Sequence, residues 1–197
     1  MSKIAFLYIL LLMFSCHVSE NQALSKAKCR LSSNNSFISK VKCYKVKANN
    51  IVGEQMRKNK INLKNSTVVY YTYALPNKLD TNEFKKNTFT QNNFLDSISF
   101  SPGFSSFMFL DKSGKYVAKS SGIHIYTDMS QFKFYNFDKL LIDKYLKRNY
   151  EIMFELWGFC RNTFIFGYSK DSLEIFEYKD NTLIPIRFDN FKSKCKR

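Results

Sequence analysis

The stretch YEIMFELWGFCRNTFIFGYSKDSLEIFEYKDNTLIPIRF, residues 150–188, decides the fold class. It contains four runs rich in aromatic and β-branched residues, YEIMFELWGF, TFIFGY, SLEIFEY and TLIPIRF. They are parted by residues 158–162, by Ser169-Lys170-Asp171 and by Lys179-Asp180-Asn181. Links this short join antiparallel neighbours only, because a parallel return needs a crossover of a dozen residues or more. The C-terminal part is therefore predicted to be a meander. Pro185 carries no N–H for a ladder, which places the last strand at a sheet edge or a bulge.

Moving toward the N-terminus, Asp138 is expected to cap a helix over DKLLIDKYLKRN. Its Leu140, Leu141 and Tyr145 share one face, away from Lys139, Asp143, Lys144 and Lys147. Before it, FSSFMFLDKSGKYVAKSSGIHIYTD, residues 104–128, predicts a second meander of three strands, with Gly114 and Gly122 supplying positive φ at its turns. STVVYYTYAL, residues 66–75, is a strand that Pro76 ends. Residues 77–97 are polar, with Phe84, Phe89 and Phe94 spaced through a helical turn or a long loop. SFISKVKCYKVKANNIV, residues 36–52, places Ile38, Val41, Cys43 and Val46 as an irregular strand. The whole is an α+β, β-rich domain of antiparallel meanders with one or two short helices packed on the sheet. A chain with 45% hydrophobic and 17% aromatic residues can bury enough surface to offset its folding entropy. The expected organisation is a leader over 1–16, a polar tether over 17–36 and a single globular domain over 37–197.

The leader assignment rests on Lys3 followed by the apolar run Ile4–Phe14, too short to span a bilayer. Its end, Leu12-Met13-Phe14-Ser15-Cys16, resembles the bacterial lipoprotein signal, with Met13 and the bulky Phe14 as departures from it. That resemblance implies lipidation of Cys16 and attachment in the periplasm or outer envelope. The alternative is an ordinary secretory peptide cut near Ala23 or Ser25. Of the five cysteines, Cys29, Cys43, Cys160 and Cys195 then form two disulfides. Three pairings are open; the tightest loops join Cys29 to Cys43 and Cys160 to Cys195. No spacing matches a close thiolate pair, so no metal site is expected.

The formal charge of +15 attracts an acidic macromolecule or a membrane surface. Lysine outnumbers arginine 25 to 6, which argues against specific nucleic-acid reading, a task for bidentate guanidinium contacts. The candidate surface for an anionic partner comprises Lys40, Lys42, Lys45 and Lys47, expected mostly on one strand face, with Lys144, Lys147 and Arg148. Other basic clusters are Arg57, Lys58 and Lys60, and the tail Lys192, Lys194, Lys196 and Arg197.

Catalytic chemistry has few residues to draw on. The two histidines are His17, beside the processing site, and His124 in GIHIYTD, a strand position usual for structural histidines. A nucleophile built from Cys160, His124 and Asp128 requires a free thiol, which an exported chain disfavours. There is no Gly-x-Ser-x-Gly elbow, and the six glycines form no phosphate-binding loop, so no cofactor is expected. Paired carboxylates, Glu151 with Glu155 or Glu174 with Glu177, would suit a secreted glycan hydrolase, with Trp157, Tyr150 and Phe159 as sugar platforms. The preferred reading is an exported, lipid-anchored, non-enzymatic binding or inhibitor module that uses a basic aromatic surface. The hydrolase is one alternative and a structural envelope component another.

Overall fold

The computed structural model describes residues 36–58, 66–76, 79–100, 106–111, 117–120, 123–126, 136–170 and 172–195. All of them belong to one compact unit, Ser33–Arg197. The leader, the tether as far as residue 35, and with them Cys16, Cys29 and His17, lie outside the described residues.

The order of elements is α1 (Phe37–Lys58), β1 (Ser66–Pro76), α2 (Thr81–Lys85), α3 (Gln91–Ser97), β2 (Ile98–Phe100), β3 (Ser106–Asp111), β4 (Val117–Ser120), β5 (Ile123–Tyr126), α4 (Asn136–Arg148), β6 (Ile152–Leu156), β7 (Phe164–Ser169), β8 (Ser172–Lys179), β9 (Thr182–Ile186) and α5 (Phe188–Lys194). The main sheet runs β2-β1-β6-β7-β8-β9, and β3 also pairs with β1. The fold is α+β and β-rich, as residues 150–188 predict. The β6–β9 run is antiparallel throughout. Its last turn places Asp180 at φ 50° and Asn181 at φ 57°, the two left-handed positions of a type I′ hairpin. Pro185 lies on the edge strand opposite Phe176, and the Tyr178 N–H bonds Thr163 across β7. Even-numbered β8 residues thus point their amides at β7, so the position of Pro185 faces outward. Its missing N–H costs the ladder nothing and denies that edge a donor for another strand.

Four expectations are corrected. The sheet is mixed, because β1 and β6 run parallel with Tyr71 beside Met153 and Ala74 beside Leu156. The three strands predicted within residues 104–128 are present as β3, β4 and β5, and β4 pairs antiparallel with β5 as predicted, but β3 joins the main sheet beside β1 while β4 and β5 are assigned to a two-stranded sheet. The predicted strand at residues 36–52 is helix α1. Phe37, Val41, Tyr44 and Ala48 recur at helical spacing and are buried, whereas Ile38 and Val46 are 42% and 38% exposed. The Ser36 hydroxyl caps this helix by accepting from the Ser39 N–H, and Asp96 Oδ1 accepts from the Phe37 N–H at 3.2 Å. Asp138 is also not a cap; it is the third residue of α4.

Strand alternation gives the sheet two apolar faces. Tyr70, Ala74, Ile152, Phe154, Phe166 and Ile175 face the layer of α1, α2, α3 and α5. Val69, Tyr71, Met153, Ile165 and Phe176 face Leu141, Ile142 and Tyr145 of α4. The rings Phe84, Phe89 and Phe94 of the polar segment are all buried in the first layer, on helices capped by Asp80 and Thr90.

Candidate functional site

The sheet end formed by the carboxyl ends of β1 and β6 carries the connection Trp157–Thr163. The Trp157 N–H bonds the Ala74 carbonyl at 3.0 Å, and Gly158 turns the chain with φ 69°. Phe159 goes inward onto Phe84 of α2, ring centroids 5.1 Å apart. Cys160 is joined to Cys195, just after α5, with Cα atoms 4.7 Å apart. Phe191 of α5 also meets Phe84, at 5.5 Å, and Lys192 donates to the carbonyls of Lys86 and Phe89. Connection, α2 and α5 thus form one stapled corner.

Inside it, the buried Glu177 carboxylate accepts hydrogen bonds from Lys194 and from Asn162, the latter at 2.9 Å. The Lys194 hydrogen bond, joined by that of Asn162, outweighs desolvation and holds this acid below its ordinary value. A carboxyl lowered on folding stabilises fully above its unfolded titration and loses that contribution as pH falls through the folded value. Glu177→Gln is therefore expected to lose stability at neutral pH and to flatten the acid limb of a melting-temperature profile below about pH 4.5. An acid limb as steep as the parent's would assign that limb to other groups.

Trp157, at the start of the connection, is 53% exposed, and Ile184, the β9 partner of Glu177, is 42% exposed. Lys85, Lys86, Arg161, Arg187 and Lys194 are also exposed. Trp157 does not join Tyr150 and Phe159 as a sugar platform, since those two are 3% and 5% exposed.

The predicted lysine surface is not one surface. Lys40 is buried on α1 and donates to the Asp96 carbonyl; burial lowers its pKa, with Asp96 pulling the other way. Lys45 lies 3.8 Å from Glu151, whereas Lys42 and Lys47 are exposed. Successive helical residues turn by 100°, so the shared strand face does not exist. Lys144, Lys147 and Arg148 are on α4, across the sheet; Lys144 stacks on Phe176 and Arg148 approaches Glu174 at 3.7 Å.

The disulfide removes Cys160 from nucleophilic chemistry. The backbone of His124 is on β5, and Asp128 lies outside the described residues. Cys43 is buried and also disulfide-bonded; its predicted pairing with Cys29 lies outside the described residues. Glu151 and Glu155 are four extended residues apart, roughly 13 Å of backbone, while glycosidase carboxylates sit about 5 to 10 Å apart. Glu174 and Glu177 point to opposite faces of β8. Among the described residues no cluster of three or more metal-ligating side chains occurs, and no helix is long and apolar enough to cross a membrane.

Sequence reading had Lys192 and Lys194 but not the reach of Lys192 to the Lys86 carbonyl or the tie of the connection to the residue after α5. The signal was the pairing of Cys160 with Cys195, which brings Arg161 to α5. Comparison with protein-family models, with curated proteins and with solved structures finds no match.

Proposed function

We propose that this protein is an exported, lipid-anchored binding module that holds an acidic protein partner against the stapled corner. The observation that carries the reading is Trp157, a half-exposed tryptophan on a backbone pinned by a ladder hydrogen bond and a disulfide. Tryptophan and arginine dominate the energetics of protein interfaces, and a rigid anchor loses little entropy on binding. α2, the connection and α5, with residues 86 and 187 included, carry six basic side chains, against the acids Glu83, Asp189 and the inward Glu177. Such a field speeds encounter with an acidic surface and selects against basic ones. The disulfide-bonded state of Cys43, Cys160 and Cys195 supports the oxidising compartment that export requires.

Trp157 is the chain's single tryptophan, so its fluorescence reports on this corner. Titration with polyglutamate is expected to shift its emission saturably, and added salt to reverse the shift. Reversing Lys85, Lys86 and Arg161 to Glu should weaken binding at least about tenfold more than reversing Lys42, Lys47 and Lys147, an equal change in net charge. Equal losses from both triple variants would reduce the interaction to general charge and end the reading. Export is tested separately by intact mass, where a diacylated or triacylated Cys16 is the expected result.

A further inference from the structure

A hollow of about 390 Å³ opens between the first turn of α1 and helix α3. Phe37 and Leu95, both buried in the first layer, form its apolar floor. Ser36, Ile38, Asn92 and Asp96 stand around it, and all four are exposed. Asn92 and Asp96 are four residues apart on α3 and so fall on the same side of that helix. The volume is toward the lower end of the roughly 300 to 1,000 Å³ usual for ligand pockets, which suits one small ligand.

The charges beside the hollow select against ions of either sign. Asp96 brings a carboxylate to its rim, with Oδ1 accepting from the Phe37 N–H at 3.2 Å. The Lys40 side chain donates to the carbonyl of the same residue, and Asp96 acts on it electrostatically. An anion meets the carboxylate, while a cation meets Lys40 and the field of a chain of charge +15. A neutral molecule meets neither penalty. The polar groups then define its chemistry: a carboxylate only accepts, whereas the Asn92 amide and the Ser36 hydroxyl both donate and accept. Hydroxyl donors make short, charge-assisted bonds to a carboxylate, so a ligand rich in hydroxyls gains most here.

We propose that the hollow between α1 and α3 binds one neutral sugar ring. A pyranose carries hydroxyls on its edge and C–H groups on its faces. The hydroxyls match Asp96, Asn92 and Ser36, and the C–H groups match Ile38 and the apolar floor. Asp96 is the single carboxylate among the lining residues, whereas glycoside hydrolysis uses a pair, so the site holds a sugar without cleaving it. It shares no lining residue with the corner around Trp157, and its failure would leave the reading of that corner standing.

The test is a titration of the full chain with glucose and with N-acetylglucosamine, followed by NMR of the backbone amides, with ethylammonium chloride as the charged comparison. The expected result is a saturable shift of the Phe37, Asn92 and Asp96 amides with at least one of the sugars. Asp96→Asn keeps an Oδ1 acceptor for the Phe37 N–H but puts a donor in place of the second carboxylate oxygen. It should weaken sugar binding at least about tenfold. Asn92→Ala, at an exposed side chain, should weaken it as well and keeps the proposal falsifiable if Asp96→Asn does not fold. The proposal is overturned if neither sugar gives a saturable shift, if ethylammonium binds more tightly than both, or if a folded variant keeps parental sugar affinity.

Discussion

Phe191→Ala is expected to cost about 4 kcal/mol of folding stability, the usual loss for deleting a fully buried phenylalanine ring. The ring is 0% exposed and meets Phe84, Phe94, Phe164 and Phe166 at centroid distances of 5.5, 5.2, 5.1 and 5.2 Å. Those four belong to α2, α3 and β7, so one side chain joins three parts of the layer. Surrounding rings are stiff and held by their own neighbours, such as the Phe154–Phe166 stack at 4.9 Å, and they cannot collapse into the space. For a domain of this size the loss corresponds to a melting temperature lower by roughly 10 °C. Leu146→Ala, at a side chain 46% exposed, is the control and should stay within about 0.5 kcal/mol. Because Phe191 seats α5, the variant should also weaken polyglutamate binding at the Trp157 corner. A stability loss below about 1 kcal/mol would show that α5 is not part of the cooperative core.

How much of this was legible in the sequence varied with how local the cause was. Residues 150–188 carry their strand pattern, their turn residues and their edge proline within themselves, so the β6–β9 meander could be read directly. Helix α1 could not, because Ile38, Val41, Cys43 and Val46 also satisfy an interrupted two-residue alternation. The arbiter is tertiary: Phe37 packs on Phe100 and Tyr168, and Tyr44 on Phe100, neighbours distant in sequence. The same holds for the parallel β1–β6 pair, separated by the whole of α2 to α4. For the candidate site, Trp157 and the tail lysines were visible as residue types, but the joining of the connection to α5 depends on Cys160 finding Cys195, 35 positions away. The lysine pattern misled for the reason α1 did, since a face counted at period two dissolves at period 3.6.

Gly167→Ala carries the other large effect, and its cause is a close approach rather than a backbone angle. A Cβ built on Gly167 would stand 2.6 Å from Cζ of Tyr150 and 2.8 Å from both of its Cε atoms. The tyrosine has little freedom to yield. It follows Asn149, whose φ of 52° sets its direction after α4, and its ring is 3% exposed. The ring lies over Gly167 so that its hydroxyl can donate to Glu174 Oε2 at 2.7 Å, and Glu174 is the register partner of Gly167 on β8. Burial, first, and the Glu174 carboxylate both raise the Tyr150 pKa, so the phenol stays a donor. Moving the ring breaks that charge-assisted bond, and moving the strand disturbs the ladders to both β6 and β8. Overpacking alone costs about 1 to 3 kcal/mol, and the lost hydrogen bond to a carboxylate about 1.5 to 3. The expected loss in a urea unfolding experiment is therefore about 3 kcal/mol or more. Tyr150→Ala separates the clash from any intrinsic demand for glycine. It is destabilising alone, but in the Gly167→Ala background the two changes should cost less than their sum by at least about 1 kcal/mol. Strict additivity would mean that β7 needs glycine for its own backbone, and that the ring packed across it is incidental.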